Sequence, residues 1–196
     1  IDDVVLDTKF TISHIGSLLS GRNPKNLWRA IYDLTQENEA FLNAFQLQLV
    51  GAVSDDVLHT IKDEGLSDIM DLKGYVAHKE AIKIQRSSQV LLLIEIDSKE
   101  TQCIVPGKLF EYMVSQRPIL ALGSKNADIS RLISDTNSGY FFEYAEYERI
   151  KSQVLKYFID FQKNQLHSNV IGLEQYSRRE LTKELSRVLK NKSEVI

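Results

Sequence analysis

The sequence predicts an α/β fold: an open, doubly wound parallel sheet of about six strands with helices on both faces. Strand-like and helix-like segments alternate about six times with short connections. The segment QVLLLIEI (89–96) is continuously apolar, as a strand buried on both faces of a parallel sheet must be. No repeat, low-complexity tract or internal linker interrupts the pattern, so residues 1–196 are expected to form one domain.

Each element has its own signal. KFTISHI (9–15) alternates, is rich in β-branched residues and stops at Gly16, which reads as a strand and a turn. Pro24 suits the first turn of a helix, and KNLWRAIYDLTQEN follows with Leu27, Ile31 and Leu34 on one face and Trp28 beside them. FQLQLVG (45–51) is a second alternating strand. Ser54, Asp55 and Asp56 favour the start of a helix over VLHTIKDEG, with Gly65 as its stop. IMDLKGYV (69–76) is a third strand, HKEAIKIQRSS a helix, and QVLLLIEI the buried strand. KLFEYMVSQ is a helix, RPILALG a strand, ADISRLISDT a helix and GYFFEY a strand. Two long amphipathic helices, YERIKSQVLKYFIDFQ and LEQYSRRELTKELSRVLKN, complete the expected order, with residues 9–143 as core βα units and 144–196 as C-terminal helices. In the last helix Leu173, Leu181, Leu185, Val188 and Leu189 recur at three-to-four spacing and predict a core-packing face. Its basic residues Arg178, Arg179, Lys183 and Arg187 could meet acidic lipid headgroups, but Glu174, Glu180 and Glu184 are interspersed among them.

Composition narrows the function classes. Hydrophobic residues make up 43% and charged residues 26%, a globular balance, and the net charge of −3 gives no basic footprint for nucleic acid. One cysteine, Cys103, forbids an internal disulfide and fits a reducing compartment. The longest apolar run, VLLLI, is too short to span a bilayer. The start IDDVVLDTKF, without methionine and already close to a strand, predicts a fragment of a longer protein.

In a doubly wound sheet, ligands bind beyond the carboxyl ends of the strands. Two stretches there carry chemistry. HIGSLLSGRNPKN supplies Gly16 for close backbone approach and Arg22 and Lys25 as cations, a combination suited to a diphosphate. By themselves these residues also fit a glycine turn with two surface cations, and neither G-x-G-x-x-G nor a P-loop is present. PGKLFEYMVSQRPILALG (106–123) places Glu111 about one turn into an otherwise apolar helix. It is either a solvated carboxylate near a helix N-terminus or an acceptor for two ribose hydroxyls, and its helical face points to the loop around Gln102. Glu95 and Asp97 form an acid-x-acid pair of the metal-binding kind, but acids at strand ends are common and no metal is expected. His59, His78 and His167 lack metal-ligand spacing, His14 reads as structural, and no G-x-S-x-G elbow is present.

The collinear set HIGSL…GRNPKNLWRAI, QLVG, LKGYVAHKEAIKIQRSSQVLLLI and PGKLFEYMVSQRPILALG resembles the C-terminal, donor-binding half of GT-B glycosyltransferases, nearest to the retaining family 4. The resemblance covers roughly residues 9–143 and implies a Rossmann-like half of a GT-B fold. It implies that Gly16, Arg22 and Lys25 hold the nucleotide diphosphate, with Arg22 and Lys25 as the catalytic cations that neutralise charge developing on it as the glycosidic bond breaks; that Gly74, Tyr75, Val76 and Ala77 face the base; and that Gly107 and Lys108 meet phosphates or sugar. Glu111 matches the second, ribose-binding Glu of the family's Glu-x7-Glu motif; the first position holds Cys103, a departure at the sugar end, with Glu100 nearby as a substitute.

The resemblance further implies transfer of a hexosyl group from a UDP- or GDP-sugar, with retention, without metal or cofactor, in polysaccharide or glycoconjugate assembly. The full-length enzyme is expected in the cytoplasm, peripheral on the inner membrane face, with an acceptor-binding N-terminal domain absent from this fragment. The fragment alone is expected to be inactive. A GT-B nucleotide-sugar 2-epimerase and a non-catalytic nucleotide-binding or interaction module are the alternatives.

Overall fold

The computed structural model describes residues 4–193; the chain start that suggested a fragment lies partly outside them. Six parallel strands form one sheet. They are β1 (Phe10–Ile15), β2 (Phe45–Val50), β3 (Met70–Gly74), β4 (Val90–Ile94), β5 (Ile119–Gly123) and β6 (Gly139–Glu143). Their order, β3-β2-β1-β4-β5-β6, runs outward from β1 to β3, returns to β4 beside β1, and runs outward again, which is doubly wound topology with its switch between β1 and β4.

Helices cover both faces. On one lie α1 (Lys25–Glu37), α2 (Glu39–Ala44), α3 (Asp55–Asp63) and α7 (Tyr147–Gln162). Their core is aromatic: Phe10, Phe41, Phe45 and Phe158 are all buried, and the Phe41 and Phe45 rings stack at 4.9 Å. The other face holds α4 (His78–Ser87), α5 (Gly107–Val114) and α6 (Asp128–Asp135), packed on Leu91, Leu93, Ile119 and Ala121. All of β4 and β5 is buried, as continuous apolar runs require. Ser13 of β1 and Gln48 of β2 are buried too, with partners: Ser13 Oγ donates to Gln48 Oε1 (3.0 Å) and receives from Ser88 Oγ (2.7 Å).

Two features differ from the sequence expectation. The short helix α2 follows α1 directly because Asn38 caps it, accepting from the Phe41 N–H at 3.0 Å. The last predicted helix is divided: Leu173–Tyr176 is a 3-10 turn, and α8 (Arg178–Ser193) starts after Ser177, whose hydroxyl accepts from the Glu180 N–H. The 3-10 segment joins the core, through Leu173 and a Phe110–Tyr176 ring contact. The expected core-packing face of α8 is exposed instead: Leu181, Leu185, Val188 and Leu189 are about half accessible or more. Among the described residues no helix is long and apolar enough to cross a membrane.

Candidate functional site

The carboxyl ends of β1 and β4 flank the topological switch. Gly16, directly after β1, has φ +118° and donates its N–H to Val50 O at 2.8 Å. Gly51, directly after β2, has φ +114°, and a Cβ there would lie 2.6 Å from Gly16 O. These two glycines let the strand-end turns lie flat on one another and leave the surface above Gly16 free of side chain.

Lys108 reaches into that space. A Cβ on Gly16 would meet its Nζ at 2.9 Å. The lysine is aimed there by α5, whose Tyr112 is buried one turn further on and accepts the Ile15 N–H at 3.0 Å. Tyr112 therefore ties α5 to the end of β1, and Lys108, four residues before it, lies over the β1 turn.

Arg22 approaches from the loop before α1. Its Nη2 lies 3.4 Å from Oε2 of Glu95, the residue after β4. Glu95 is buried and fixed by its backbone: its N–H donates to Leu122 O (2.8 Å) and its carbonyl accepts from the Tyr144 hydroxyl (2.8 Å). Burial holds Lys108 below the ordinary lysine range; Glu95 and Glu111 oppose that shift and Arg22 adds to it.

His14 completes the floor. It is fully buried, and its Nδ1–H donates to Leu92 O at 3.0 Å. Burial, reinforced by Lys108 and Arg22, pushes its pKa down to about 3, so the imidazole is neutral at physiological pH. Arg22 Nε and, just after β5, Ser124 Oγ are buried atoms with no hydrogen-bond partner among the described residues. Unsatisfied buried polar atoms are uncommon, and these two stand in the loop after β1 and after β5, on either side of β4.

The other predicted residues lie around this centre. Lys25 is exposed at the first position of α1 and makes no described contact with Arg22, Glu95 or Lys108. Tyr75 is 95% exposed beyond β3, whereas Val76 packs on the second core. Gly107 opens α5, and a Cβ there would meet nothing within 4 Å. Glu111 is exposed and faces α4, not the Gln102 loop: Gln85 Nε2 lies 3.4 Å from its carboxylate. The Gln102 side chain is turned away, donating to Lys125 O at 2.7 Å. Glu111 lines a groove of about 700 Å³ between α4 and α5, with His78, Ile82, Phe110 and Val114. At the other end, Cys103 and Glu100 are exposed, and Glu100 is hydrogen-bonded by the Ser98 hydroxyl.

Sequence reasoning missed Glu95 as a partner of the cations and Tyr112 as the anchor of α5. Glu95 had a signal, an acid directly after the most apolar strand, but a metal reading absorbed it. Among the described residues no group of three or more His, Cys, Asp or Glu could hold a metal ion.

No family model matches the sequence, and no curated protein matches it. Solved structures do. WaaG, a glycosyltransferase of lipopolysaccharide biosynthesis, superposes with TM-score 0.64 at 13% identity over 82% of this chain and 41% of its own. HepE from Anabaena, solved with UDP, gives TM-score 0.61 at 15% identity over 81% of this chain and 42% of its own. The C-terminal domain of LpcC, a group 1 glycosyl transferase from Francisella tularensis, gives 0.58 at 15% identity over 82% of this chain and 81% of its own. The chain spans about two fifths of the length of WaaG and HepE but four fifths of the LpcC domain. With its switch between β1 and β4, this six-stranded parallel sheet has the Rossmann-like fold of the C-terminal half of a GT-B glycosyltransferase.

Proposed function

We propose that this chain is the donor-binding half of a glycosyltransferase and grips a nucleotide diphosphate sugar at the switch between β1 and β4. One observation carries the reading: Lys108 lies over the Gly16 turn after β1, and Arg22, held by Glu95 with its Nε buried and unpartnered, stands at the same switch. In this reading the Gly16 turn lets the diphosphate approach the backbone, and Arg22 and Lys108 neutralise charge gathering on it as the glycosidic bond breaks. Lys25, exposed at the start of α1, is the outer cation of the group. Glu111 takes the ribose hydroxyls, Tyr75 and Val76 border the base, and Gly107 opens the helix beside the phosphates.

The finer features belong to the same proposal. The donor is a UDP- or GDP-sugar; UDP in the HepE complex supports the uridine alternative. Transfer of a hexosyl group proceeds with retention and without metal, towards polysaccharide or glycoconjugate assembly on the cytoplasmic membrane face. An N-terminal domain in the same protein binds the acceptor, so the chain alone binds nucleotide but does not transfer sugar. The exposed Cys103, where the family motif carries a sugar-contacting Glu, favours one rival: a nucleotide-binding module without catalysis.

Isothermal titration of the chain with UDP, GDP and ADP tests the proposal. Binding to one of the first two supports it; no binding to any rejects it in favour of an interaction module.

A further inference from the structure

We infer that Glu95 is a positioning residue of the cation site: its buried carboxylate orients Arg22 beside Lys108 above the Gly16 turn. The geometry is specific. Glu95 stands at the end of the fully buried strand β4, its backbone held by Leu122 and Tyr144. Its side chain therefore starts from a fixed point, and that chain meets Arg22 at 3.4 Å. Arg22 has no other described ion pair, and its Nε is buried without a partner. A guanidinium held by one long contact is oriented yet keeps most of its donors for an incoming anion.

Lys108 needs the same carboxylate for a different reason. Every group near it is accounted for: Arg22 from the loop after β1, Glu95 from the end of β4, Glu111 on its own helix, and the neutral His14 beneath. Burial and Arg22 favour loss of its proton; of the two opposing carboxylates, Glu95 acts more strongly and is the buried one, whereas Glu111 is exposed and screened by solvent. Without Glu95 the ammonium faces burial and a guanidinium with only a surface carboxylate to oppose them. The sign follows: removing the Glu95 charge lowers the Lys108 pKa further, and the charged form is then lost at lower pH. At lower pH, where Lys108 stays charged, the same substitution removes a negative charge facing the anion.

This role in binding rests on the diphosphate reading, but its electrostatic part is measurable without any ligand. In E95Q, the Lys108 titration followed by NMR at Cε and Nζ moves to lower pH than in the wild type, and E95D restores it towards the wild-type value. An unchanged or raised midpoint in E95Q would overturn the inference. Isothermal titration with inorganic pyrophosphate then gives a crossover: E95Q binds about tenfold more weakly than the wild type at a pH above the Lys108 midpoint that NMR finds for E95Q, and at least as tightly at a pH well below it. An equal loss at both pH values marks a merely structural residue and also overturns it. If the wild type binds neither pyrophosphate nor UDP, the diphosphate reading falls, and the Lys108 titration alone decides the role of Glu95. Should E95Q fold poorly, E95S supplies the same titration readout, with a lowered Lys108 midpoint expected and an unchanged or raised one contradicting the role.

Discussion

Arg22 and Glu95 come from opposite sides of the topological switch, and their side chains meet at 3.4 Å in a site where Glu95 is only 6% exposed. Removing one member of such a pair costs more than removing both, because the remaining charge stays buried. Arg22→Ala is therefore expected to destabilise the chain by about 1–2 kcal/mol, moderated by the partial exposure of Arg22 and by nearby Lys108. The double variant R22A/E95Q recovers most of that loss. Urea melts of the two variants and the wild type check it; a double variant less stable than R22A contradicts the pairing.

Gly51 and Gly16 face each other backbone to backbone, and the predicted effects of alanine differ. At Gly51 a methyl group would sit 2.6 Å from Gly16 O, a backbone atom, at a φ of +114°. At Gly16 it would meet only the mobile end of Lys108, although φ is also positive there. Both alanines carry backbone strain of about 1–3 kcal/mol, and G51A adds a clash that the turn must move to relieve. G51A is expected to lower the melting temperature more than G16A, whereas G16A weakens pyrophosphate binding by displacing the ammonium. Equal melting temperatures would argue against the close approach.

If Glu111 takes the ribose hydroxyls as proposed, its removal separates the two ends of the donor. It is exposed and makes one 3.4 Å contact, to Gln85, so Glu111→Ala leaves stability within about 0.5 kcal/mol. Its affinity for UDP falls about tenfold while its affinity for pyrophosphate is unchanged. Calorimetry with both ligands makes the comparison. Parallel losses, or none, remove Glu111 from the ribose site.

What the sequence disclosed follows from how each feature is encoded. Strand and helix periods are local, so β4 and α5 were legible from VLLLI and KLFEYMV alone. Gly16, Arg22 and Lys25 were legible as candidates because their residue types suit a diphosphate, and Lys108 through the resemblance alone. The placement of Lys108 over Gly16 was not, since it depends on Tyr112 meeting Ile15 across 97 residues. Gln48 looks like an exposed alternate of β2 until Ser13 is seen to satisfy it inside the sheet. In α8 the failure is different: a three-to-four apolar stripe records that a helix has a side to cover, and not what covers it.

That exposed stripe predicts an asymmetry between the last two helices. Leu181, Leu185 and Val188 contribute little burial, so deletion of residues 178–196 shifts the melting temperature by no more than about 2 °C. Phe158 of α7 is buried among Phe10, Phe41 and Phe161, and Phe158→Ala costs about 3–5 kcal/mol. Differential scanning calorimetry of both variants checks the contrast. A large drop on deleting α8 would contradict the exposed packing.

His14 gives the chain a pH signature. Its folded pKa of about 3 lies below the ordinary histidine value of 6.5, so the unfolded chain binds the proton more readily between those values. The stability it contributes is fully present above about pH 6.5 and is lost as pH falls towards 3. At about pH 5 the loss from this one group is about 2 kcal/mol. The variant His14→Asn keeps a side-chain N–H for Leu92 O but cannot take up a proton. It is expected to be less stable than the wild type at neutral pH and to lose less on acidification. Urea midpoints at about pH 7 and about pH 5 for both proteins give the two slopes. Parallel slopes would mean that His14 is not buried in its neutral form, and the neutral floor beneath Arg22 and Lys108 would have to be redrawn.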